Sequence, residues 1–451
     1  MSTWLTGLLG AALLMTGCAH PWLKAMRRLS WMLLLGFIGL ELLYLVLVRL
    51  GDWRQHTLPF LMAFGAAFGI YLALVRAVRR WDAQPGRANR WLLGGMLLGG
   101  LVFRATLIGT TPTLSEDSYR YLWDGRVQQA GINPYRYAPQ DAALAHLRTE
   151  EWRFINHPDI PTIYPPLAQL AFRLGVALSP TVLAQKLVFL ACDIAVMLLL
   201  LAWLPRAGIN PMMGLLYAWH PLVVVEVAGS GHNDPLGVLW MVVGLWLWTS
   251  RRRVMGTLAF ALSFLSKLTT ALLWPFYWVR ARRELGWFAL AILPAGLWCW
   301  GSPYLAPGFP HYASQWEFNS SLYAILQPVL GHPLAARIVC GVIVLVAGFV
   351  LARRTDDLIT YTLTMLQTAI LVAPVVEPWY LLWLLPLLCV RFSWIWLLFS
   401  GLVMLSYLVQ VPYVSYGLWK IPAWVLWVEY LPLYAWLGWR AWRGMGRLRP
   451  T

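Results

Sequence analysis

Glu116 and Asp117 stand side by side where an apolar run gives way to the chain's only long polar stretch, Thr110 to Pro166. A carboxylate at a membrane boundary can take a proton from an attacking hydroxyl, and partial desolvation moves its pKa toward a useful range. The same pair also suits a helix start, where acids cap free N–H groups and meet the positive end of the dipole. Asp124 follows two helical turns after Asp117, on the same face. It can orient a sugar or Arg120, or serve as a surface charge paired with Arg120 or Arg126. In GHNDP (231–235), His232, Asn233 and Asp234 offer donors and acceptors from a tight turn. One His and one Asp do not make a metal site, and Asn and Asp are ordinary turn residues as well.

Lys267, Arg104 and Arg173 are cations inside apolar stretches, where an ionisable side chain marks function by default. An anion held in low dielectric, such as a lipid-linked phosphate, needs such cations, and Lys267 is the foremost of the three. Glu377, in VVEPWY, is a carboxylate beside aromatics that can touch a sugar or anchor the chain at the interface. His220 and Glu226 fall within an apolar segment, where a charge needs a partner or a polar cavity.

The elements that position these residues are membrane helices. Of 451 residues, 60% are hydrophobic and 12% charged, and the mean hydropathy is +0.61; a soluble domain carries about 25% charged residues. Apolar blocks of about 17–25 residues match a hydrocarbon core of ~30 Å, and their backbone groups must be satisfied locally, as helices. The alternating ten-residue pattern of a membrane β-barrel is absent. A net charge of +16 does not point to nucleic acid, because Lys and Arg sit in short clusters between apolar blocks, as the positive-inside rule requires. The five cysteines lack paired spacing, so neither a disulfide framework nor a metal cluster is expected. LMTGC at the end of the first eighteen residues has the look of a lipoprotein cleavage site. No basic residue precedes its apolar run, so an ordinary first helix is the favoured reading.

Apolar blocks at 4–20, 30–50, 58–76, 91–109, 181–203, 211–228, 234–250, 285–303, 333–352, 358–376, 378–390, 393–411 and 421–438 predict an all-α polytopic membrane protein. The expected count is about 13 transmembrane helices plus short re-entrant and juxtamembrane ones, in a single membrane domain over 1–451. Basic clusters assign the cytoplasmic ends. They place 110–165, 229–234, 304–321 and 377–379 together on the outer face. Block 254–279 has basic clusters at both ends and reads as two short helices meeting near Ser266-Lys267. Segment 163–179 reads as a helix that dips into the membrane without crossing it. Residues 110–162 form the first large extracytoplasmic loop, with an amphipathic surface helix over 116–130 and a second short helix over 140–153.

Together these motifs resemble the GT-C superfamily of membrane glycosyltransferases, above all the polyprenol-phosphomannose-dependent mannosyltransferases and their bacterial relatives. The residues that carry the resemblance are EDSYRYLWDGRVQQAGINPYRY (116–137), YPPLAQL (164–170), LVFLACDIAVMLLL (187–200), HPLVVVEVAGSGHNDPL (220–236) and SKLTTALLWP (266–275). The resemblance implies that Asp117 is the catalytic base. The family's acidic signature often has two acids, so a share for Glu116 stays open. Tyr164, Arg120, Asp124, His232, Asn233, Asp234 and Lys267 fall within the resembling stretch and, with Glu377 from outside it, are the substrate-binding candidates. It further implies an inverting transfer of a hexose, mannose first, from a polyprenyl-phosphate carrier to an extracytoplasmic glycan or glycolipid. No cofactor is required on this reading, although some relatives use a divalent metal.

The setting it implies is a bacterial inner membrane with the site facing outward. The C-terminal helices, 285–451, match nothing in the resemblance. The competing classes are an outer-face polysaccharide polymerase or ligase, which favours larger Arg-rich loops in the second half, and a transporter or flippase. Transporters favour internal repeats and polar residues at the midplane. Neither pattern is present. A Walker loop, an HExxH motif and a glycine-rich nucleotide fingerprint are also missing.

Overall fold

A computed structural model describes residues 21–81, 90–298 and 308–446. The block at 4–20 and the start of the 304–321 loop lie outside the described residues. Among the described residues the regular structure is helical, and the sole β feature is an isolated parallel bridge between Phe318 and Val375.

The first three helices are α1 (Pro21–Leu50), α2 (Thr57–Arg80) and α3 (Arg90–Leu107). The polar stretch follows as α4 (Asp117–Gln129), two short 3-10 turns (Ala142–Leu147 and Glu150–Phe154) and α5 (Pro166–Leu178). Next come α6 (Val182–Arg206), a broken segment over 211–229, α7 (Asp234–Thr249) and α8 (Arg253–Ser266). Five described helices are long and apolar enough to cross a membrane, or six if the bent pair Pro211–Ala218 and Pro221–Gly229 is one span. Five shorter apolar helices of 10–17 residues accompany them. The expected count of about 13 is therefore not reached by length and composition. Block 4–20 lies outside the described residues, and several other apolar blocks are broken into shorter helices.

The breaks explain themselves locally. Block 211–228 was expected as one spanning helix, but it bends by 49° between Pro211–Ala218 and Pro221–Gly229. Pro221 has no N–H to continue the ladder, and the His220 ring instead accepts from the Leu222 N–H at 3.1 Å. Val224–Gly229 then winds as a π-helix, a rare form concentrated at functional sites. α8 stops at Ser266, Lys267 is extended, and Leu268–Leu273 resumes as a 3-10 turn before Trp274–Arg280. That is the break expected near Ser266-Lys267. Segment 163–179 supplies one short helix, α5, which starts with Pro166 at its first turn, where a missing N–H costs nothing.

The expected surface helix is corrected. α4 does form, but it is enclosed by protein, and Ser118, Arg120, Asp124 and Gln128 are all buried. Gly125 lets it press directly on α5, since a Cβ there would lie 2.5 Å from the Phe172 carbonyl oxygen. The expected second helix over 140–153 is two 3-10 turns, the first capped by Asp141 accepting from the Ala143 N–H at 2.9 Å.

Candidate active site

The two carboxylates at the start of α4 have different surroundings. Glu116 forms an ion pair with Arg54, from the turn between α1 and α2. Among the described residues Asp117 has no cation. Its carboxylate accepts from the Tyr121 hydroxyl at 3.3 Å, and its backbone N–H is turned to Ser115 Oγ at 3.2 Å. Tyr121 also reaches Asn233 Oδ1 at 3.4 Å, so one phenol bridges the polar stretch to the GHND turn. Its ring stacks on Phe172 (centroids 4.6 Å apart) and meets Tyr164 edge-on at 5.1 Å. Burial pushes both phenols well above their ordinary pKa, which keeps them protonated donors. Tyr164 is fixed from outside as well, because the Tyr135 hydroxyl donates to its carbonyl oxygen at 3.0 Å.

Arg120 and Asp124 are bonded to each other and to the 160–169 segment rather than to Asp117. Arg120 Nε donates to Asp124 Oδ1 at 3.0 Å, and its other arm binds the Ile160 carbonyl oxygen at 3.0 Å. Asp124 Oδ2 accepts from Thr162 Oγ1 at 2.6 Å and from Gln169 Nε2 at 2.8 Å. The pair is spent on holding α4 against the 160–169 segment, a buried network with every charge matched.

The GHND turn presents a second layer. His232 Nδ1 stands 3.0 Å from Glu226 Oε2, and Tyr407 donates to Glu226 Oε1 at 3.0 Å. The imidazole stacks on Trp379 with centroids 3.9 Å apart, and its buried Nε2 has no hydrogen-bond partner among the described residues. Asp234 binds Lys267 Nζ through both oxygens at 2.7 Å and accepts from Trp383 Nε1 at 2.7 Å. Lys267 therefore arrives already neutralised, and it rests 5.0 Å from the Tyr380 ring centre. Glu377, in the turn before Pro378, feels Asp117, Glu226 and Lys267 together. Lost hydration chiefly, then the two acids, push its carboxyl well above the ordinary range, against the pull of Lys267. Asp117, Tyr164, His232, Asn233, Asp234, Lys267 and Glu377 are thus gathered at one end of the helices.

Two of the proposed phosphate cations are placed elsewhere. Arg104 is fully buried between helices, ion-paired with Asp193 and donating to the Gly100 and Ala218 carbonyl oxygens at 2.9 and 2.7 Å. Arg173 is exposed on α5. The cation that sequence reasoning passed over is Lys186, in the first turns of α6. It is 1% exposed, and no carboxylate pairs with it among the described residues; its ammonium donates to the Thr110 carbonyl oxygen at 2.6 Å. Its stem lies against Gly231, where a Cβ would sit 2.6 Å from Lys186 Cγ and 2.8 Å from Ser118 Oγ. A lysine five residues inside an apolar helix was the available signal. Tyr121 and Tyr407 complete the additions, and Glu226, already marked as a charge in an apolar segment, finds its partners in His232 and Tyr407. Among the described residues no group of three or more His, Cys, Asp or Glu side chains could hold a metal ion.

With this geometry in place, the chain can be compared with known proteins. Residues 4–283 match the family model described as alpha-(1→6)-mannopyranosyltransferase, N-terminal domain. The chain belongs to this family. The match takes in the 116–137, 220–236 and 266–275 motifs, which hold Asp117, His232 and Lys267, and ends before Glu377, Trp379 and Tyr407. Alpha-(1→6)-mannopyranosyltransferase A of Mycobacterium tuberculosis is 26% identical over 275 residues, covering 55% of this chain and 52% of that protein. The protein of the same name from Corynebacterium glutamicum is 26% identical over 192 residues, covering 41% and 38%. The aligned chain thus spans about half or less of the curated relatives it matches. No solved structure matches.

Proposed function

We propose that this chain is an inverting mannosyltransferase. It takes mannose from a polyprenyl-phosphate carrier and passes it to a hydroxyl of a glycan or glycolipid on the outer face of a bacterial inner membrane. The mannosyl specificity and the α-1,6 bond follow the names of the family and its relatives. The lipid carrier and outward orientation rest on the resemblance and on the basic clusters that mark the opposite face. About thirteen crossings remain the reading of the apolar blocks.

The observation that carries the mechanism is the contrast between Asp117 and its surroundings. Among the described residues Asp117 is a carboxylate without a cation, held by one phenol, next to a tied Glu116. In the reaction the acceptor O–H gives its proton to Asp117 as its oxygen bonds to mannose C1. The C1–O bond to phosphate breaks on the opposite face, and its electron pair leaves on the phosphate oxygen. Lys186, a buried lysine that no carboxylate pairs with among the described residues, is suited in its ammonium form to steady that developing charge, and a His232 Nε2–H can donate to it. Lys267, Asp234 and Glu377 shape the sugar pocket. The sugar is already activated by its phosphate link, so these steps invoke no cofactor.

The test is transfer of labelled mannose from a synthetic polyprenyl-phosphate donor to a mannoside acceptor by purified protein, alongside Asp117→Asn. Transfer that survives the substitution removes Asp117 as the base. Transfer only from pyrophosphate-linked oligosaccharides would turn the reading to a polymerase or ligase.

A further inference from the structure

At the end of the helices away from Asp117 lies a cavity of about 730 Å³, and it is lined by cations and aromatic rings. α2 connects the two ends: Thr57 sits beside Arg54 and the site, whereas Arg79, twenty-two residues on and roughly 33 Å along the axis, reaches this cavity. Arg391 enters from the turn after Val390, and Arg440 from the last described helix, Ala423–Gly446. Arg391 is paired with Asp357 at 2.9 Å. Arg79 and Arg440 have no carboxylate partner among the described residues, and both are exposed. Arg79 Cζ sits over the Phe392 ring, 3.8 Å from its centre, with the Trp394 ring centre 5.9 Å away. That contact holds the guanidinium at the cavity wall, where its exposed N–H groups can meet an anion. Ser393 lines the same cavity, and its hydroxyl is buried without a hydrogen-bond partner. Part of the remaining wall is apolar, with Leu363, Ile395 and Leu398, and Thr364 and Gln367 add polar groups beside it.

The positive-inside rule accounts for arginines on this side, but it does not call for a concave site, a guanidinium over an aromatic ring or an unpartnered hydroxyl. We propose that this cavity binds the headgroup of an anionic phospholipid of the cytoplasmic leaflet. Its phosphodiester lies between Arg79 and Arg440, with Ser393 as a further donor, and its acyl chains run along the apolar wall. A free phosphate uses the arginines alone and leaves that wall without purpose, so the combination selects a lipid. Basic pockets between membrane helices are known anionic-lipid sites.

The test uses the full chain in neutral detergent, titrated with phosphatidylglycerol or phosphatidylcholine and read by native mass spectrometry. Phosphatidylglycerol is expected to stay bound and phosphatidylcholine is not. Arg79→Gln with Arg440→Gln weakens phosphatidylglycerol binding at least about tenfold, while Arg353→Gln with Arg354→Gln, a basic pair outside the cavity, leaves it unchanged. Arg440→Glu alone, at an exposed position, repeats the loss if the double variant unfolds. Equal loss in both double variants, equal binding of the two lipids, or displacement by millimolar inorganic phosphate each overturns the proposal. The readout is lipid retention, so it stands or falls apart from the transferase reading.

Discussion

Arg54 forms an ion pair with Glu116, and the adjacent Asp117 is left without a cation among the described residues. Two neighbouring acids, indistinguishable by type, are thereby given different chemistry. Asp117→Asn is expected to lower mannosyl transfer by on the order of 10²–10⁴-fold, the range for loss of a general base. Glu116→Gln should lose far less, with a stability change under about 1 kcal/mol, because the pair is partly open to solvent. Comparing kcat for the two variants decides the matter. Equal losses would mean that the acids act as one unit.

Lys186 should contribute through its charge. Lys186→Met keeps the stem and removes the ammonium, and kcat is expected to fall on the order of 10²-fold with little change in donor KM. A drop in thermal stability with unchanged kcat would assign the lysine to structure alone.

Gly231 sets where that lysine lies. Its φ is +76°, and a Cβ would strike both Lys186 Cγ and Ser118 Oγ. Gly231→Ala is expected to cost about 1–2 kcal/mol for the backbone alone and to reduce transfer by displacing Lys186. A variant with full activity and an unchanged melting temperature would remove this constraint.

The Arg104–Asp193 pair predicts stability and not turnover. Arg104→Leu strands a buried carboxylate and should cost about 3–5 kcal/mol. Arg104→Leu with Asp193→Leu should recover most of it, with specific activity per folded molecule retained throughout. Thermal unfolding of the single and double variants gives the coupling directly; additive losses would contradict it.

Glu377 gives a pH dependence whose sign is fixed. Its carboxyl is raised on folding, so between the ordinary carboxyl range and the raised value the folded protein holds a proton that the unfolded chain has lost. Stability therefore falls as pH rises through that window. Glu377→Gln, which stays neutral, should flatten the slope of melting temperature measured from about pH 5 to about pH 8. An unaltered slope would place the titration elsewhere.

Much of this protein is determined by its sequence alone. Hydrophobic blocks and their basic flanks demand helices in a membrane, because unsatisfied backbone groups and unpaired charges are too costly in hydrocarbon. The break at Lys267, the short helix after Tyr164 and the polar stretch holding Asp117 follow from local proline, charge and composition. Which charges are free is a different matter, because pairing runs between residues far apart in the chain. Arg54 meets Glu116 across 62 positions and Arg104 meets Asp193 across 89. Lys267 is cancelled by Asp234, and Lys186 is cancelled by nothing among the described residues. Sequence reasoning ranked Lys267 first and passed over Lys186, because an ionisable residue in an apolar run looks the same with or without a partner. Burial of α4 was hidden for a similar reason: its charged face looks solvated until Thr162 and Gln169, from another segment, satisfy Asp124. Local pattern decides where helices form, and only tertiary contact decides which of their charges are left to do chemistry.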